Sequence, residues 1–397
     1  MGENLEAQAP SLPARVVGLA DARRTFGRSV DRLMPALHRS DPLADDAVRV
    51  LAEQQQSVHA TLDRALSGDR AVPDAVRRLI DAAAELPVWA DEHRLDRAGE
   101  LLFRASVPGG IALGAKSLLS GYCSPAGNKP LIWSGQLMRG ISRRLGETAK
   151  FVCAVAAPGG LNPGAEGFQI TLRVRLIHAQ VRRLIEAQGG WRADLWGLPI
   201  NQHDMAATIL LFGNAWLDGI EALGISVTAE EAEDYVHLWR VAGHIIGVEH
   251  DLLPATRSEG DRLAKIIQAT EGEPDDDARR LVKAFLTHPL EQLETAKERR
   301  DAERRMQAYA GCIRGLLGEK LADQLELPKD RWRFMVPALR EVVRRAERLR
   351  RTVPGGRRLA IQSGRRHWQN VIELGLMGLP AEFNLPSQLG LFNRDAA

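Results

Sequence analysis

Cysteine is scarce in this chain of 397 residues: there are three, Cys123, Cys153 and Cys312. An odd, scattered set excludes a disulfide framework and points to a reducing compartment. Long apolar runs are missing too. The best candidate, MAATILLFGNAWL at 205–217, is interrupted by Gly213 and Asn214, and it is shorter than the roughly 18 residues a bilayer span requires. The N-terminus has no charged-then-apolar signal pattern, and MGENLE puts a glutamate where a myristoylation site needs Ser or Thr. These absences lead to the expectation of a cytoplasmic protein without a membrane span. Neither sign of charge dominates. The net charge of +2 supplies no global field to recruit nucleic acid or membrane. Period-2 alternation, hairpin signals and internal repeats are not found. There is no Walker loop, no Gly-x-Ser-x-Gly, no Cys-x-x-Cys and no glycine-rich nucleotide fingerprint between a strand and a helix. A carboxylate-bridged di-iron bundle needs two Glu-x-x-His pairs, and the sole carboxylate three residues before a histidine is Asp234 before His237.

What remains is helical periodicity. Residues 43–68 follow Asp41-Pro42 and end at glycine, residues 72–86 have a clear apolar face, and residues 228–247 open with a Thr cap and an acidic first turn. Residues 289–325 read as one long helix with a charged outer face. Glycine and proline concentrate in 124–130, 157–167 and 189–204, and the acidic stretch 271–277 is a surface linker. The expectation is an all-α protein, with residues 1–85 forming a helical layer packed on a larger unit of residues 86–397.

The sequence RLIHAQVRRLI at 175–185 places His178 on an apolar stripe with Val174, Val181 and Ile185, bordered by Arg175 and Arg182. An imidazole on an apolar surface beside two cations suits a flat, metal-bearing ligand with anionic edges, a description that fits haem. The alternative is a core histidine bonded to a backbone carbonyl. Arg144, Glu147 and Thr148 share one helix face that continues into Phe151 and Val155, giving either a polar patch at the head of a pocket or an i,i+3 surface ion pair. Asp204, beside His203, either caps its helix or orients a ligating histidine. His237, His244 and His250 lack the i,i+4 spacing of a helical zinc site, and His244 reads as a core histidine or one placed behind a ligand. The arginine-rich stretches 344–351 and 355–368 read as a solvated helix face, from which one or two arginines could reach an anionic group.

Taken together, RLGETAKF (144–151), RLIHAQVR (175–182), PINQHD (199–204), HLWRVAGHIIGVEHDLLPAT (237–256) and the preceding LPVWADEHRL (86–95) resemble the MpaB-type oxygenases, whose other branch is the latex clearing proteins, or rubber oxygenases. The resemblance implies a globin-like helical core with additional N- and C-terminal helices, binding haem b and using dioxygen as co-substrate. It implies His178 as the proximal iron ligand, with Arg175, Arg182, Asp204, His203 and His244 as further cofactor-side residues and Arg144, Glu147 and Thr148 on the dioxygen side. The chain departs from the rubber-oxygenase pattern in having Glu147 where a lysine stands. Asn128 lies near the place of a glutamate, and the secretion signal is missing. The implied activity is therefore oxidation or cleavage of a C=C bond in a small hydrophobic, isoprenoid-like intracellular substrate, by a monomer or weak homo-oligomer. Haem-dependent oxidation of a smaller polar metabolite, such as N-oxygenation, and haem binding without turnover stay open.

Overall fold

A computed structural model describes residues 11–133, 141–288, 295–381 and 383. The chain is all-α, as expected, with no strand among the described residues. The helices used below are α1 (Leu19–Phe26), α2 (Pro42–Glu53), α3 (Asp74–Ala84), α4 (Glu92–Ala112), α5 (Ile141–Val155), α6 (Glu166–Gln188), α7 (Gln202–Leu210) and α8 (Trp216–Ala222). They are followed by α9 (Ala229–Ile245), α10 (Arg257–Thr270), α11 (Asp276–Thr287), α12 (Ala296–Leu317), α13 (Met335–Thr352) and α14 (Gly356–Leu376).

Local chemistry sets many of the boundaries. Asp41 accepts from Ala44 N at the head of α2, with Pro42 in the first turn. Thr228 and Glu231 close a capping box on α9, and the chain leaves that helix through Gly247 at φ 91°. Two expectations need correction. Residues 43–68 are two helices, α2 and Val58–Leu66, because Gln55 adopts φ 53° between them. The long 289–325 helix is α12 plus Glu319–Gln324, divided at Gly318; residues 289–294 lie outside the described residues. Gly213 and Asn214, which interrupt the apolar run in sequence, lie within helical structure. They sit in a π turn (Leu211–Ala215) that joins α7 to α8, and Asn214 donates from this turn to Arg257 O and Asp261. A second π turn, Leu113–Leu118, continues α4 and packs against the first. Within α4 the helical path breaks at Ser106 (φ 45°), two residues before Pro108.

The main core joins Val30, Leu33 and Leu37 from the N-terminal helices to Leu101, Trp216, Tyr235 and Trp239 from the middle of the chain. A second cluster packs Val48, Leu51 and Leu79 onto Leu176 and Ala179 of α6. Helix α6 thus runs beneath the N-terminal layer along one side. On another it meets Trp133, Trp191 and Trp196, which surround Val181 and Ile185. Helix α14 lies across α4 and α5, and Gly364 and Gly375 allow the backbones to touch Phe103 and Gly146.

Candidate functional site

His178 is half-buried at the middle of α6, and its ring makes no hydrogen bond among the described residues. Its Nδ1 is wholly buried without a partner. Burial, reinforced by the positive charge of Arg182 and opposed by Asp41, pushes its pKa down to about 4. The imidazole is therefore neutral at physiological pH. The core-histidine alternative calls for a backbone carbonyl as partner, and none is found among the described residues.

The two bordering arginines are used differently from the sequence reading. Arg175 is buried and grips Asp41 with both ends of its fork, Nε to Oδ2 at 2.6 Å and Nη2 to Oδ1 at 2.9 Å, while Nη1 donates to Ile245 O. Gly247 leaves room for that pair, since a Cβ there would lie 2.3 Å from Asp41 Oδ2. Arg182 donates to Asp45 at 2.8 Å and to Ile200 O at 2.9 Å. Both guanidiniums act here as clamps that hold α6 to the head of α2, instead of as free cations beside the histidine.

Helix α5 presents the second polar group. Arg144 forms neither an ion pair nor a hydrogen bond among the described residues. Burial lowers its pKa, against the pull of Tyr122 and Glu147. Glu147 pairs instead with Arg143, at 3.2 Å, and Arg143 also donates to Pro380 O. The surface pair is thus i,i+4 from Arg143, and the expected Arg144–Glu147 pair is not formed. Thr148 follows, half-buried, and then Phe151, which meets Phe212 edge-on at 5.8 Å and Trp239 at 5.9 Å. Phe212 belongs to the π turn and stacks on Trp239 at 4.6 Å. Near the start of this face, buried Asn128 donates to Tyr122 O, and its Oδ1 has no partner. A half-buried cation without a direct partner and an amide oxygen without one, both among the described residues, together favour a ligand that carries negative charge and a donor.

Asp204 does not cap α7. Asn201 does, accepting from Asp204 N at 2.9 Å, which leaves the Asp204 carboxylate to meet His203 Nδ1 at 3.1 Å. Burial opposes ionisation of Asp204, but Arg15 and His203 outweigh it and hold the carboxyl below the usual range. Arg15 also reaches Glu271 and Ser124, so one buried guanidinium ties the N-terminal segment, the 124–128 loop and α7 together. Sequence reasoning missed Arg15 because nothing in SLPARVVG distinguishes it from a surface arginine. His244 lies near Arg175 and His250, and its Nε2 is buried without a partner among the described residues. Among the described residues no three His, Cys, Asp or Glu side chains converge to hold a metal ion.

Comparison with known proteins identifies the family and the fold. The sequence profile of the family described as "ER-bound oxygenase mpaB/B'/Rubber oxygenase, catalytic domain" matches residues 105–346. A rubber oxygenase from Streptomyces sp. (strain K30) is 25% identical over 226 residues, covering 54% of this chain and 55% of that protein. The chain therefore aligns with about half the length of that relative. The solved structure of latex clearing protein in the closed state superposes with a TM-score of 0.65 at 20% identity, covering 84% of this chain and 91% of that one, which establishes a shared fold. With the family profile spanning more than half of its length, the chain belongs to the MpaB and rubber oxygenase catalytic-domain family.

Proposed function

We propose that the protein is a haem b-dependent oxygenase that oxidises or cleaves a C=C bond in an apolar, isoprenoid-like substrate. The observation that carries this reading is His178: a neutral imidazole with no hydrogen-bond partner, on an apolar stripe, in a chain of this oxygenase family. A b-type haem asks the protein for one such ring and an apolar slot, so the donor chemistry fits. When bound, the haem supplies the capacity to bind and activate dioxygen.

The remaining contributions belong to the chain's own residues. His178 would hold the iron, with Val174 and Val181 about one turn to either side on the same apolar stripe. Arg144, half-buried and with no ion pair among the described residues, would offer positive charge to an anionic group bound there. Glu147, steadied by Arg143 on Oε1, holds or returns a proton. The aromatic wall of Phe151, Phe212 and Trp239 excludes water and favours a hydrocarbon. His203, positioned by Asp204, stands as a supporting residue.

One observation favours a second reading. Asn128 Oδ1 and Arg144, neither with a direct partner among the described residues, also suit a smaller polar or anionic metabolite. Product mass spectrometry on apolar alkenes and on polar amines or acids separates the two. Oxygen uptake by the reduced protein separates both from haem binding without turnover.

The primary test is reconstitution with haem followed by visible spectroscopy. The wild type should give a Soret band. His178→Ala should lose most of it while its helical circular dichroism is kept. Full haem retention in His178→Ala would sink the assignment and move attention to His203 or His244.

A further inference from the structure

Residues 331–366 hold twelve arginines and two glutamates, whereas the whole chain carries a net charge of only +2. This segment is therefore a basic region on a molecule that is otherwise acidic. The structure shows how its charges are arranged. Glu347 turns inward, onto Arg104 and Arg350, and Glu341 is taken by Arg345. Arg344, Arg348, Arg358 and Arg366 meet no carboxylate among the described residues.

Apolar side chains stand out among these cations. Helix α13 buries Val336 on its inner side, yet its outer side presents Val342 and Leu349, each 64% exposed, with Phe334 at 59% just before the helix. Val342 and Leu349 lie seven residues apart, so they share one face with Ala338. Val353 and Leu359, at the turn into α14, extend the exposed apolar surface. A solvated helix normally shows polar groups outward. Here an apolar ridge is exposed and bordered by Arg345 and Arg348.

We infer that the outer face of α13 and the turn into α14 dock on an anionic membrane surface, with Phe334, Val342 and Leu349 entering the headgroup boundary and the flanking arginines contacting acidic lipids. The chemistry selects this partner. A second copy laid symmetrically on the ridge would bring only Glu341 and Glu347, both already paired, so Arg344 and Arg348 would gain no free carboxylate from it. A nucleic acid would use the arginines but leave the aliphatic ridge in water. An anionic bilayer uses both, because arginine stems lie along the apolar boundary while their heads stay at the phosphates. The docking helices are also braced to the body of the protein, since Gly375 of α14 contacts Gly146 of α5. The inference does not depend on what the α5–α6 site binds.

The test is co-sedimentation of the full chain with phosphatidylcholine vesicles, with and without phosphatidylglycerol. Binding is expected only with phosphatidylglycerol, and it should weaken as salt rises. Val342→Ser with Leu349→Ser should weaken binding by about tenfold or more, from lost apolar burial. Arg344→Gln and Arg348→Gln should each weaken it about fivefold. All four side chains are at the surface, so circular dichroism and thermal midpoint should match the wild type. The inference is overturned by no binding to phosphatidylglycerol vesicles at low salt, by equal binding to neutral vesicles, or by binding that the serine variant retains. Self-association abolished by Leu349→Ser without vesicle binding, or RNA binding that needs the arginines but not Val342 and Leu349, would likewise overturn it.

Discussion

Arg175 and Asp41 are 6% and 4% exposed, and each satisfies the other through two hydrogen bonds. Removing one partner of such a pair strands a buried charge. Asp41→Ala should destabilise the protein by about 3–5 kcal/mol in urea unfolding, with the lost α2 cap included. A loss below about 1 kcal/mol would show that water reaches Arg175 and that the clamp is not tight. Glu147 poses a functional question at the same scale. If its carboxylate relays a proton beside the iron, Glu147→Gln should retain haem but turn over about 10²-fold more slowly. If turnover is unchanged, Glu147 serves only as the partner of Arg143. Cys123 and Cys153 need no functional account, because burial pushes both thiols up to about 12 and leaves them protonated.

Helices in this protein meet at glycines, and that reverses an ordinary rule. In an exposed helix, Gly→Ala stabilises by up to about 1 kcal/mol. At Gly364 of α14 a Cβ would sit 1.7 Å from Phe103 O, a backbone atom with nowhere to go. Gly110 of α4 meets only His367 Nε2, at 3.6 Å. Gly364→Ala should therefore lower the thermal midpoint, by the equivalent of about 1–3 kcal/mol, while Gly110→Ala leaves it unchanged or raises it. Equal effects of the two would refute the close crossing of α14 over α4. The elements themselves were unevenly legible. The Thr228 cap, the Asp41-Pro42 start and the stop at Gly247 follow from side chains within a few residues, and they were read correctly. The split at Gln55 was not, because no glycine or proline marks it. Gly213 and Asn214 are poor helix formers, yet the chain stays helical through the π turn at Leu211–Ala215. Their contacts with Trp239 and with Arg257 and Asp261 of α10 override that propensity.

At the scale of the whole molecule, one loop connects the N-terminal layer to α4, and histidines hold it. Trp89 Nε1 donates to His250 Nε2 at 2.8 Å, and Asp91 N donates to His237 Nε2 at 3.0 Å. Both donors can only donate, so both imidazoles must accept and be neutral at that nitrogen. For His237, burial and the charges of Arg94 and Arg240 outweigh Asp91 and Asp234 and push the pKa down to about 4. Its folded value lies below its unfolded one, so the unfolded chain binds more protons between them. Stability should then be intact above pH about 6.5 and fall as pH drops towards about 4. For this group alone the loss is on the order of 3 kcal/mol. His237→Gln, whose amide oxygen can accept the same bond without titrating, should flatten the urea midpoint across that window. An equally steep pH dependence in the variant would assign the effect elsewhere, with His178 of the haem-free protein the next group to test.

The division between sequence and structure follows from the range of the forces involved. Helical class, most helix starts and the apolar stripe carrying His178 depend on residues within a turn or two of each other, so the amino-acid order alone determined them. Partner choice among charges does not work that way. Arg175 binds a carboxylate 134 positions away, Arg104 one 243 away and Arg15 one 189 away. Several cations in the chain compete for each of these acids, and only packing decides which is brought within 3 Å and shielded from water. That is why Arg175 and Arg182 became clamps, why Asn201 displaced Asp204 as the cap, and why Arg144 has no direct partner among the described residues. The tertiary structure likewise decided that α13 turns an apolar ridge outward, since a helix with two faces does not itself specify which one finds a neighbour.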